Sequence, residues 1–590
     1  MTSLPMSRLL LLMMTLAAYA YGRSAGQTAD IVTSSGRLRG RVEEFGRTKV
    51  RIFHGIPFAQ PPVGNLRFKK PVTVEPWPGV LEATTMPPVC PQPESFPDSP
   101  EEYEPRTNRS EDCLYLSIVA PDVNSSDARL STMVWIHGGA FMVGGISVDM
   151  YNPRNLVLYT NVIVVSIQYR LGPLGFLYLG SDDAPGSMGM LDQVLALEWV
   201  KQNIASFGGD PDSITLIGES AGSMSTSFHL MSPLSRDLFN RAIMMSGSAM
   251  MPGGYHEPDD QKSRSVKLAK FVGCDHDDEA EMVACLMEVP ANDLATAQLH
   301  PDVLVLDNAL ASLLGFEPTI DGSFLKDAPE NLLKNGEFKR ASVMFGTVRD
   351  EGSWFMFTSL PALITLTDPT NVSVDLYESS IPKLLPTYSD GVHKVVEFTY
   401  TDWSYAPTSR SQSLIDMIGD YHFVCPAVKE ASRYADEGEN VYMYFFTHQS
   451  TDSKTPEWAG VMHGEDIAYM FGLPPDVSGF TMYDKEVSKH MMNYFSNFAK
   501  SGNPNKPSQV DERWLAFKVN EETDGPKRYY KELSTKRNAW GRGPRLRECT
   551  LWNDVVPFLQ QESESSGLGV TPTVITIVTA AMSTLSLISV

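Results

Sequence analysis

Short runs of consecutive apolar and β-branched residues recur along the chain, separated by segments with helical spacing. Residues 131–137 (STMVWIH) and 161–170 (NVIVVSIQYR) read as strands. So do 213–218, which runs into Glu219-Ser220, then 341–347 (ASVMFGT) and 441–448 (VYMYFFTH). Most of these runs are continuous rather than alternating, the pattern of strands buried on both faces. Residues 191–203 have the amphipathic period of a helix. Strands interleaved with helices predict an α/β fold whose large central sheet is mostly parallel and flanked by helices. No repeat, low-complexity block or Ser/Gly linker divides residues 24–560, which predicts one large domain. The Pro-rich stretch 86–105 reads as a surface loop.

The two ends follow different rules. Arg8 precedes an apolar run from Leu9 to Ala20 that only Thr15 and Tyr19 interrupt, and Ala18-Tyr19-Ala20 has the small-residue form of a cleavage site. Residues 1–20 therefore read as a secretory signal peptide, too short to span a bilayer. After Glu564 there is no charged residue up to Val590. Small residues Ser565-Ser566-Gly567 followed by a moderately apolar tail predict a GPI signal over 565–590, removed when the lipid is attached. The alternative is an intact spanning tail, which the interspersed Thr and Ser weaken. The predicted location is the secretory pathway and then the outer face of the cell membrane, or the extracellular space.

Composition narrows the function. With 42% hydrophobic and 20% charged residues, the 590-residue chain is globular rather than collagen-like, coiled-coil or disordered. Its 48 Lys and Arg against 71 Asp and Glu leave a net charge of -23. Nucleic-acid binding needs clustered cations and is excluded as a main function. A strong acidic excess favours cationic partners in a cleft. Secretion gives the six cysteines a meaning, because that compartment oxidises and the count is even. Sequential pairing is expected, since neighbours close short loops: Cys90 with Cys113, Cys274 with Cys285, Cys425 with Cys549. No cysteine is then left for an interchain bond, so any homodimer is non-covalent. Asn108, Asn124 and Asn371 open glycosylation acceptor triplets.

Two motifs carry the chemistry. Gly218-Glu-Ser-Ala-Gly222 follows a strand and precedes helix-compatible residues. A serine on such a sharp turn presents its hydroxyl, and only small neighbours pack the turn. Trp135-Ile-His-Gly-Gly-Ala-Phe141 also follows a strand. Its small residues free backbone N–H groups to stabilise an oxyanion, with Gly139, Ala140 and Ala221 the candidate donors. A serine nucleophile needs a histidine base, and the histidine a carboxylate, in the chain order serine, acid, histidine. Position at strand ends leaves Asp350 and Glu351 open for the acid, and His448 and His463 open for the base. No cofactor or metal enters this chemistry.

From about residue 30 to 560 the chain resembles the cholinesterase and carboxylesterase family of α/β-hydrolases. The resemblance rests on Glu111-Asp-Cys-Leu-Tyr-Leu116, Leu171-Gly-Pro-Leu-Gly-Phe176, Phe207-Gly-Gly-Asp-Pro211, Gly218-Glu-Ser-Ala-Gly222, Pro456-Glu-Trp458, Gly460-Val-Met-His-Gly464 and Phe498-Ala-Lys-Ser-Gly-Asn-Pro504. It implies an α/β-hydrolase fold, catalytic Ser220, Glu351 and His463, and the same three disulfides. It also implies supporting roles for Glu219, Ser246 and Asp420. The substrate implied is a small ester, most closely a choline ester. A broad carboxylesterase and a catalytically silent adhesion protein are the other readings. Tyr103 stands where the family's cholinesterases carry a tryptophan for the quaternary ammonium, and Trp354 and Phe355 match other aromatics of that site. Ser312, Leu314 and Gly253 fall where bulky aromatic residues line the acyl side in the family, which predicts either a wider acyl pocket or one filled from elsewhere.

Overall fold

The computed structural model describes residues 27–94, 103–123, 128–303, 315–359, 371–403, 407–452, 455–475, 477–519 and 527–566. The signal peptide, the C-terminal tail, Asn124, Ser312 and Leu314 lie outside them.

Thirteen strands of the described residues form one mixed sheet. They are β1 (Thr28–Thr33), β2 (Gly36–Phe45), β3 (Thr48–Pro57), β4 (Val80–Glu82), β5 (Tyr115–Pro121), β6 (Leu130–Ile136) and β7 (Ile163–Ile167). The second half supplies β8 (Gly209–Glu219), β9 (Arg241–Met245), β10 (Ser342–Val348), β11 (Val441–Phe446), β12 (Tyr529–Leu533) and β13 (Trp540–Arg542). The order across the sheet is β1-β2-β3-β5-β7-β6-β8-β9-β10-β11-β12-β13, with β4 beside β2. From β7 through β12 all neighbours are parallel, while β1, β2, β3 and β5 join antiparallel, as does β13. This is the architecture of an α/β-hydrolase.

The five sequence-predicted strands are all present, within a few residues of their expected limits. The antiparallel strands 28–57 are not legible from apolar runs. Their sequences GRLRGRVEEF and TKVRIFHGIP mix charges with apolar residues, and β2 alternates between buried and partly exposed positions. Central strands instead send alternate residues into two cores. On β8, Ile214 and Leu216 join the larger core and Ile217 the smaller one across the sheet. Burying a large apolar side chain contributes ~1.5–3 kcal/mol, and Trp135, Phe53 and Phe207 are among many that are fully covered.

The helices that position the site are α1 (Met188–Asn203), α2 (Ala221–Met231), α3 (Gly352–Ser359), α4 (Cys425–Asp436) and α5 (Met482–Ser501). The expected amphipathic helix 191–203 is α1, but it is buried nearly all round. Its polar residues are internal and bonded. Asp192 accepts two hydrogen bonds from the Arg170 guanidinium at 2.7 and 2.8 Å, and Gln193 contacts Ser225 and His229. Three disulfides form, Cys90–Cys113, Cys274–Cys285 and Cys425–Cys549. No cysteine is free.

Within the Pro-rich stretch, the described residues 86–94 are mostly buried. Cys90 and Gln92 are buried, and the Gln92 side chain bonds both the N–H and the carbonyl of Gly144. The disulfide and these two bonds hold residues 90–92 inward. Asn108 and Asn371 are exposed. Among the described residues no helix is long and apolar enough to cross a membrane.

Candidate active site

The site lies where an open α/β sheet characteristically places one, beyond the carboxyl ends of its parallel strands. β8 delivers the chain to Ser220, which turns at φ 55° and ψ −124° before α2 begins at Ala221. That left-handed φ is strained for a residue with a side chain. Small neighbours make the turn possible. A methyl group at Gly218 would lie 2.1 Å from the Gly222 carbonyl oxygen, and one at Gly222 would lie 2.0 Å from that of Ile136. The Ser220 N–H donates to the Met245 carbonyl at 2.9 Å, which pins the turn to β9.

The loop after β6 stands beside it. Gly139, Ala140 and Phe141 all have positive φ, at 109°, 55° and 57°. A side chain on Gly139 would meet the Val143 carbonyl at 2.1 Å, so only glycine fits there. Gly138, Gly139 and Ala140 line one cleft together with Ser220 and Ala221. Ala221 opens α2, so its N–H has no acceptor within the helix.

β10 ends at Val348 and the next turn carries both candidate acids. They point apart. Glu351 is buried, and its Oε2 lies 2.6 Å from Nδ1 of His463 while its Oε1 accepts from the Val348 N–H at 2.9 Å. Asp350 instead accepts from the Arg349 guanidinium and from the Val461 N–H, each at 2.7 Å. The histidines separate in the same way. His448 lies 2.6 Å from Asp484, and only His463 lines the cleft with Ser220. Nε2 of His463 makes no hydrogen bond.

Glu219 is the second carboxylate at this histidine, its Oε1 3.1 Å from Nε2 but not aligned for a hydrogen bond. Burial pushes Glu219 up to about 8, against the opposing pull of His463. For His463, burial acts to lower the pKa, but Glu219 and Glu351 outweigh it and hold the ring up to about 9. Asp466 lies beyond, raised to about 7 by burial, with Tyr444 donating to it at 2.6 Å.

Aromatic residues close the cleft. Phe355 and Phe423 pack against the His463 ring with centroids 5.1 and 4.6 Å away. Trp354 sits 6.1 Å from Tyr103. Glu104 also lines the cleft. Of the supporting residues the resemblance implied, only Glu219 does. Ser246 is buried behind the turn at φ 51°. Asp420 lies away from the cleft and holds Arg545, at 2.8 Å, and Tyr400, at 2.9 Å. Gly253 has no neighbour within 4 Å of where its Cβ would stand and does not line the cleft; Met251 and Met224 do. Sequence reasoning missed Phe423, Met224 and Met251, which no local pattern marks out from core residues.

An elbow serine, a glycine-rich donor loop and a carboxylate-held histidine on this sheet define a serine hydrolase of the α/β-hydrolase class. Residues 27–552 match the family model described as the carboxylesterase family. The chain belongs to that family and is a serine carboxylic-ester hydrolase. It is 37% identical to an acetylcholinesterase of Bungarus fasciatus over 566 residues, covering 95% of this chain and 91% of that one. It is 38% identical to a cholinesterase of Mus musculus over 556 residues, covering 93% and 90%.

Proposed function

We propose that the protein hydrolyses choline esters, acetylcholine foremost, through an acyl-serine intermediate. The Ser220 hydroxyl attacks the ester carbonyl while His463 Nε2 takes its proton. Glu351 holds the ring by Nδ1 and offsets its positive charge. Gly139, Ala140 and Ala221 donate their N–H groups to the oxyanion. His463 passes the proton to the departing alcohol, and water then cleaves the acyl-serine by the same steps.

The observation that carries the choline reading is the aromatic lining of the serine's cleft. Tyr103 and Trp354 line it, their ring centroids 6.1 Å apart, and Glu104 lines it too. A cation over an aromatic face gains ~0.5–2 kcal/mol, about three- to thirtyfold in binding. Acetylcholine should therefore be preferred over its uncharged isostere 3,3-dimethylbutyl acetate, and Trp354→Ala should narrow that gap. Equal kcat/KM for the two esters at low salt, unmoved by the substitution, would favour a general carboxylesterase.

A pH profile tests the carboxylates. The base must be neutral to accept a proton, and its folded pKa is raised, so kcat/KM should climb on the alkaline side of the ordinary histidine value of ~6.5. Glu219→Gln removes one negative neighbour and should move that midpoint to lower pH. An unmoved midpoint would deny Glu219 this influence.

The leader and the charge-free tail support a secreted enzyme tethered by lipid. Phosphatidylinositol-specific phospholipase should release it from intact cells. Recovery of the peptide 570–590 in mature, membrane-retained protein would show a spanning tail instead.

A further inference from the structure

The cleft at Ser220 has two ends. The proton path fixes the alcohol end, because His463 must reach the departing oxygen. Tyr103 stands at that end. A methyl group on Gly464, the residue after His463, would lie 3.1 Å from the Tyr103 hydroxyl. Tyr103 packs against the smaller core, whereas Met224 and Met251, which also line the cleft, belong to the larger core across the sheet. An ester whose alcohol lies by Tyr103 therefore turns its acyl group towards the two methionines.

Backbone holds both of them there. The Met224 N–H donates to the Ser220 carbonyl at 2.9 Å, one turn into α2, and residues four apart on a helix share a face. The Met251 N–H donates to the Ser248 carbonyl at 3.1 Å, and its own carbonyl accepts from the Gly254 N–H at 3.0 Å. That turn brings Gly254 onto the far end of Met224, where a methyl group would lie 2.5 Å from Cε. Gly254 does not itself line the cleft. Its missing side chain leaves the room that the Met224 tip occupies. The surrounding interior is close-packed, so a displaced tip has the cleft to enter.

We propose that Met224 and Met251 form the acyl wall and set the longest acyl chain the enzyme accepts, with Gly254 a positioning residue that acts through Met224. This wall rests on the acyl-serine mechanism proposed above. Methionine is unbranched, with three rotatable bonds, and adapts to what it packs against. Such a wall yields to chains of different length where a rigid ring would stop them, so butyryl esters should turn over as well as acetyl esters.

Measuring kcat/KM for p-nitrophenyl acetate, butyrate and hexanoate tests the wall with the alcohol held constant. Met224→Ala and Met251→Ala should each raise the hexanoate-to-acetate ratio about tenfold, the scale of a methylene in an apolar pocket. Gly254→Ala should lower the butyrate-to-acetate ratio by about the same factor. Adding Met224→Ala to Gly254→Ala should restore that ratio, which general damage by the alanine would not allow. Either methionine variant carries the test if the other does not fold. Unmoved ratios in the methionine variants would overturn the assignment, as would a Gly254→Ala loss shared equally by all three esters. An altered choice between acetylcholine and 3,3-dimethylbutyl acetate, with the acyl ratios unmoved, would place the methionines at the alcohol end instead. Wild type that hydrolyses none of the three esters would overturn the acyl-serine mechanism and the wall with it. Moved acyl ratios in an enzyme without choline preference would still support the wall.

Discussion

Ser220→Ala should lower ester turnover by roughly four to six orders of magnitude while the protein still folds. Removing the nucleophile of a serine triad leaves only the catalysis of oriented binding and the oxyanion donors. Folding should be spared for a local reason. The strained φ of 55° at this position is set by the approach of Gly218, Gly222 and Gly247 to neighbouring backbone. Alanine keeps the Cβ that already fits there. Turnover of p-nitrophenyl acetate, read beside the thermal midpoint, checks both halves. An alanine variant with near-normal turnover and an unchanged midpoint would remove Ser220 from the mechanism. It would also revive the reading of a fold used for adhesion.

Glu351→Gln should cost ~10³–10⁴ in kcat, by analogy with amide replacement of the acid in serine proteases. The amide can still occupy the space, yet it presents neutral groups to Nδ1 and leaves the charged ring without its partner. The 2.6 Å contact to His463 makes the effect specific to this side chain. Asp350→Asn, one residue earlier, should leave kcat within about tenfold, because its partners are Arg349, Val461 and Gln412 rather than the histidine. Comparable losses in both variants would mean that the turn as a whole, rather than one carboxylate, supports turnover.

That pair of acids also marks where the sequence stops being informative. Adjacent residues leaving a strand point to opposite sides, and the apolar run before them does not say which side faces the cleft. Family resemblance favours Glu351, and the hydrogen bonds then show why Asp350 is unavailable. The serine turn and the glycine-rich loop after β6 were legible directly, because close backbone approach permits only small residues in a fixed order. The parallel strands were legible because burial on both faces leaves unbroken apolar runs. The first three strands were not: β1 and β2 are half-exposed at the sheet's edge and carry charges like any surface, and buried Arg51 and His54 interrupt the apolar run of β3. Helix α1 misled for the opposite reason. Its amphipathic spacing implies a polar outer face, but Arg170, Ser225 and His229 bond Asp192 and Gln193 inside the protein. Phe423 and Met251 reach the cleft from segments whose local pattern resembles ordinary core.

The Cys425–Cys549 bond spans 124 positions, and His463 falls inside the closed loop whereas Ser220 and Glu351 fall outside it. His463, the base of the proposed mechanism, is thus carried on a covalent ring docked against the rest of the sheet through β11. A single peptide cleavage anywhere in that ring would leave both fragments linked, with the histidine still tied to the body that holds its carboxylate. Such a nicked enzyme would run as one species until reduced. Its activity would then report on packing within the ring rather than on continuity of the chain.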